Sequence, residues 1–82
     1  MVYLYVLHSQ LKNKYYVGIT SDLDKRIQEH NRGKNKSTKS GLPWEIILIE
    51  EFKTRSEAMR KEKQIKSRGI KRYLESKNIN NG

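Results

Sequence analysis

The sequence predicts an α/β domain of the α+β kind: a three-stranded antiparallel sheet flanked by helices, in the order β-β-α-β-α-α, with the first strand central. Three observations carry this. Two short runs of β-branched, aromatic and aliphatic residues, Val2–Leu7 and Tyr15–Ile19, flank a polar segment of ordinary hairpin length. A third run, Trp44–Phe52, is rich in isoleucine. Between and after these runs the apolar spacing changes to that of helices, each opened by a capping pattern, Ser21 with Asp24 and Thr54 with Glu57.

The first strand alternates, so that Tyr3 and Tyr5 share one face. The segment His8 to Lys14 carries Ser, Gln, Asn and Lys and returns the chain antiparallel. On the second strand Tyr15 and Tyr16 point to opposite faces, and Gly18 is a point where another group can approach the backbone closely. A helix over Asp22–Asn31 follows, with Leu23 and Ile27 as its buried stripe and Gly33 placed to end it. Arg26 and His30, one turn apart, emerge on one face of it.

Arg32 to Leu42 reads as a loop closed by Pro43. The third strand has Ile46, Ile47, Leu48 and Ile49 in succession, apolar on both faces, which predicts cover on both sides. The longest helix, Arg55–Ser67, is expected to bury Ala58, Met59 and Ile65. Its period turns Glu62 toward the same side. A carboxylate there either pairs with Lys66 one turn on or is held inward to bind a cation. Gly69 breaks the helix, and Ile70–Glu75 forms a last short one with Ile70, Tyr73 and Leu74 inward. Residues 1–77 make one domain, and 78–82 a frayed tail.

The composition narrows the functions. Eighty-two residues support one small core, and no apolar run approaches a membrane span. The absence of cysteine removes disulfides and thiolate metal sites, and with only His8 and His30 a structural zinc site is not expected. A cytoplasmic protein without a membrane partner is the expectation, and a monomer is the simplest assembly. The net charge of +9 is concentrated. Arg32, Lys34, Lys36 and Lys39 lie in one stretch without an acid, and nine Lys or Arg between Lys53 and Arg72 face only Glu57 and Glu62. Such a surface attracts polyanions through counterion release, which makes nucleic acid the first partner to consider.

With these residues placed, the chain resembles a minimal GIY-YIG endonuclease domain over nearly its whole length. The first motif of that family corresponds to Tyr3-Leu4-Tyr5 and the second to Tyr16-Val17-Gly18. The helix arginine, the histidine one turn later and the metal-binding glutamate correspond to Arg26, His30 and Glu62. The resemblance is nearest to the small stand-alone bacterial members, related to the N-terminal nuclease module of the bacterial nucleotide-excision-repair endonuclease. The chain departs from the family pattern at Tyr3, where the motif has glycine, at Ile19, where many members have lysine, and at Leu74, where repair and restriction members often have asparagine.

The resemblance implies a metal-dependent endonuclease that hydrolyses DNA phosphodiester bonds with little intrinsic sequence specificity. Glu62 would hold one divalent cation, Mg²⁺ or Mn²⁺, arriving with the DNA because a single carboxylate binds it weakly. Arg26 would clamp the scissile phosphate. Tyr5 would act as general base once Arg26 and the metal lower its pKa, Tyr16 would position water or phosphate, and His30 would share the proton transfer. Tyr3 is a packing residue. Lys34, Lys36, Lys39, Arg60, Lys63 and Arg68 are candidates for backbone phosphate contacts that do not read sequence. Two other readings stay open: a nucleic-acid-binding module that keeps the fold without the catalysis, and a domain whose partner supplies specificity.

Overall fold

The computed structural model describes residues 1–33 and 43–77. The elements are β1 (Val2–Ser9), β2 (Lys14–Thr20), α1 (Leu23–Asn31), β3 (Trp44–Phe52), α2 (Arg55–Arg68) and α3 (Ile70–Ser76). They form a three-stranded antiparallel sheet of order β2-β1-β3. The central strand runs two residues beyond its apolar run, so His8 and Ser9 are paired and buried and the hairpin turn shortens to 10–13. Asn13 closes that turn at φ 51°, a left-handed conformation that asparagine tolerates.

Alternation along β1 splits the core in two. Leu4 and Val6 pack with Val17, Ile65, Tyr73 and Leu74 on one face. Tyr5 and Leu7 pack on the other with Trp44, Tyr16, Leu23 and Ile27. Helices α2 and α3 therefore cover the first face and α1 the second. Leu74 is a core residue only 2% exposed.

β3 is an edge strand, and its apolar run is not covered on both sides. Ile46 is 41% and Ile49 44% exposed, while Ile47 and Leu48 both pack against the α2/α3 cluster. A bulge explains the pairing of neighbours on one side: Val6 faces Leu48 and Leu7 faces Ile46, so Ile47 is the extra residue and the alternation slips by one. Four apolar residues in a row thus reflect a slipped alternation on a half-covered strand.

The helix ends follow side-chain capping. Asp22, not Ser21, caps α1, its Oδ1 accepting from Lys25 N at 3.2 Å. Thr20 prepares that start, its buried hydroxyl accepting from Asp22 N and donating to Asp22 O. Gly33, at φ 75°, closes α1 with its N–H on His30 O. Thr54 caps α2 through Glu57 N, and Gly69, at φ 103°, separates α2 from α3. Met59, expected inside, is 54% exposed. The buried stripe of α2 is Ala58 and Ile65, seven residues apart, and Met59 lies one step around the helix from it. The short α3 is anchored by Tyr73, whose hydroxyl donates to Glu50 and whose ring lies under the ammonium groups of Lys61 and Lys77. No helix among the described residues is long and apolar enough to cross a membrane.

Candidate active site

On the α1 face of the sheet, three side chains from three elements meet. Tyr5 stands at the middle of β1, opposite Gly18 of β2. Its hydroxyl lies 2.9 Å from Nε2 of His30, from the last turn of α1. Tyr16 completes the group, its ring 5.0 Å from that of His30 and 6.4 Å from that of Tyr5. The strand period places Tyr16 here and turns Tyr15 to the opposite face, where it stacks on His8 at 4.8 Å.

Gly18 leaves the space the phenol occupies. A Cβ there would lie 2.4 Å from Tyr5 Oη, so the group that comes close to this backbone is the tyrosine hydroxyl itself. Trp44 closes the cluster from β3, its ring 6.4 Å from Tyr16, and its backbone N–H donates to Oδ1 of Asn31 at 3.2 Å. Asn31 thereby ties the end of α1, with His30 beside it, to the start of β3. Neither residue stood out from the sequence, where only the position of Asn31 next to His30 hints at the link.

Both hydrogen-bonded groups are neutral at ordinary pH. Burial is the main cause for Tyr5, whose phenol is pushed up well beyond its usual range, with Tyr16, Glu62 and Glu29 acting in the same direction. Arg26 pulls the other way and is outweighed. Arg26 alone therefore does not produce the lowering of the Tyr5 pKa expected from Arg26 and a metal together. His30 is held below its ordinary value, first by burial and then by the Arg26 charge, against the smaller effect of Glu29. In the simplest arrangement Tyr5 donates and the imidazole Nε2 accepts.

Arg26 and Glu62 reach the cluster through their charges. Arg26 lies at the half-buried rim of α1 and pairs with Glu29 at 3.9 Å. Glu29, three residues on, was not singled out in the sequence, although the spacing permits the pair. Glu62 comes from the opposite layer, where α2 packs chiefly on β2, the strand of Tyr16 and Gly18. Its side chain is 25% exposed and pairs with Lys66 at 3.7 Å, while its charge also acts on Tyr5. No cluster of three or more His, Asp or Glu occurs among the described residues. A single carboxylate leaves most of a hard cation's ligand positions to water and substrate.

Of the cationic candidates, Arg60 and Lys63 line an open groove with Glu62 on α2, and Arg68 is exposed in the last turn of that helix outside the groove. Lys34, Lys36 and Lys39 lie outside the described residues.

The class the fold defines is a small α+β domain whose N-terminal hairpin brings two tyrosines together with a histidine from the next helix on one face of its sheet. A family model for the GIY-YIG catalytic domain matches residues 1–78, and the chain belongs to the GIY-YIG family. Domains of this family are nuclease domains that generally use a divalent metal. The chain is 44% identical over 69 residues to the UPF0213 protein YazA of Bacillus subtilis, covering 79% of this chain and 70% of that one. It is 39% identical over 66 residues to the UPF0213 protein SH2523 of Staphylococcus haemolyticus, covering 79% of each. The solution structure of the UPF0213 protein BH0048 from Bacillus halodurans superposes with a TM-score of 0.60 at 30% identity, covering all of this chain and 88% of that one.

Proposed function

We propose that this domain, residues 1–77, is a metal-dependent endonuclease acting on DNA, and that Tyr5 and His30 work as a proton relay. The observation that carries this is the 2.9 Å contact between the Tyr5 hydroxyl and His30 Nε2, buried above Gly18. A phenol whose pKa is raised cannot wait as a phenolate. It can take a proton from water only while passing its own to an acceptor, and a neutral imidazole is that acceptor.

In the reaction, the water oxygen attacks phosphorus as its proton moves to Tyr5 Oη and the phenolic proton moves to His30 Nε2. The bond from phosphorus to the leaving oxygen breaks in line, and the alkoxide is protonated from solvent. Tyr16, beside both groups, holds the water or a phosphate oxygen through its hydroxyl. Arg26 exchanges Glu29 for the phosphate, where its fork of donors neutralises charge on the non-bridging oxygens. Glu62 would hold the divalent cation, which supplies further charge neutralisation on those oxygens when bound.

The relay has a pH signature. His30 accepts a proton only when neutral, and its pKa lies below about 6.5 in the folded domain, so cleavage stays at its plateau through neutral pH. Below that pKa the rate of plasmid nicking is expected to fall about tenfold per pH unit. In His30→Asn the acid limb disappears together with most of the rate. An acid limb centred well above pH ~6.5, or one that persists in His30→Asn, would show that another group takes the proton.

A further inference from the structure

The open groove on α2 does not belong to the catalytic cluster, yet it shares Glu62 with it. The groove has a volume of about 600 Å³ and is lined by Arg55, Ser56, Met59, Arg60, Glu62 and Lys63. Its lining is mainly apolar although every residue but Met59 is polar or charged, which follows from the exposed thioether and the aliphatic stems of the long side chains. Met59 is 54% exposed, a large apolar side chain left on a helix whose buried stripe passes beside it.

Three cations around an apolar patch match an occupant that is anionic and has a flat apolar face. A nucleotide has both. A purely acidic peptide such as poly-glutamate could engage Arg55, Arg60 and Lys63 but has no flat apolar face to lay on Met59. Glu62 bears on the choice further, because the carboxylate that would hold the cation at the scissile phosphate also lines this groove.

We propose that this groove is a subsite for the nucleotide flanking the scissile phosphate, with the base lying on Met59 and the adjoining phosphates on Arg55, Arg60 and Lys63. It rests on the nuclease reading for its direction, and on the groove itself for its chemistry. The polarizable thioether makes favourable contacts with aromatic rings, and the cations contribute by counterion release.

Binding in chelator tests the subsite without any cleavage. The probes are a fluorescein-labelled DNA strand and the same strand with every base replaced by an abasic tetrahydrofuran unit, measured by anisotropy over a range of salt. Wild type is expected to prefer the base-bearing strand by roughly threefold or more through this site. Met59→Ala, a surface change that leaves the core intact, removes that preference. Arg55→Ala weakens both strands alike and reduces the salt slope by about one. The subsite is overturned if Met59→Ala keeps the preference, or if poly-glutamate competes as well as DNA of equal charge, the result an acidic-peptide site would give. Cleavage bears on the other question: a protein that never cuts while Met59 sets the base preference contradicts only the nuclease reading, and one that cuts while Met59 is indifferent contradicts only the subsite.

Discussion

Tyr5→Phe is expected to lower the rate of phosphodiester cleavage by about two to four orders of magnitude, the usual contribution of a positioned proton-transfer group, while leaving the fold in place. The substitution removes one oxygen. The ring keeps its packing against Leu7 and Trp44, and the hydrogen bond to His30 that is lost contributes only about 1 kcal/mol to stability. Initial rates on supercoiled plasmid, taken beside urea midpoints, separate the two effects. A purely structural Tyr5 would give the reverse, a measurable fall in midpoint with the rate nearly unchanged. Because the phenol acts with His30 as one unit, Tyr5→Phe in a His30→Asn background should cost far less than in the wild type.

Gly18→Ala has the second large effect, and it reaches the same hydroxyl from the other side. The new methyl would lie 2.4 Å from Tyr5 Oη, 2.6 Å from Cζ and 3.1 Å from Tyr16 Cε1. Tyr5 is 1% exposed and bonded to His30, so its ring has no free space to move into. The overpacking is expected to cost about 1–3 kcal/mol, and whatever fraction folds holds the phenol away from Nε2 and loses activity as Tyr5→Phe does. Urea denaturation and nicking rates on the same preparation check both. The backbone of Gly18 is not at positive φ, so the effect comes from the space and not from main-chain strain. Gly18→Ala at wild-type stability and rate would mean that the phenol does not sit over this glycine.

The same two positions show what could be read before the fold was known. A strand period of two is enough to put Tyr16 and Tyr5 within reach once the hairpin is granted, and a helical period is enough to give Arg26 and His30 a common face. Family motifs carried over to Tyr5, Tyr16, Arg26, His30 and Glu62 name the participants. The sequence cannot carry the depth of burial, which is a property of the assembled sheet and α1, and burial decides the ionisation of Tyr5. The Arg26 charge is visible in the sequence; that desolvation outweighs it is not.

Elsewhere the departures from expectation have a common cause in offsets of one residue. The slip at Ile47 turns an apolar run that looks two-sided into a half-exposed edge, Ile46 and Ile49 outward. Met59 follows Ala58 by one position, and about 100° of helix carries it from the core to the surface. Asp22 rather than Ser21 caps α1 because Thr20 folds its hydroxyl onto the Asp22 backbone and sets where the helix can begin. Local patterns identify elements well, but a pattern shifted by one position needs the neighbouring strand or turn to fix its phase.

Nicking of supercoiled plasmid with Mg²⁺ or Mn²⁺ and with chelator, comparing wild type with Glu62→Ala and Arg26→Ala, tests the nuclease assignment most directly. The expected result is cleavage by wild type that requires the cation and is lost in both variants, each still folded by circular dichroism. Folded wild type that binds DNA and never cuts it, or variants that cut as fast as wild type, would contradict the assignment of hydrolysis to this cluster.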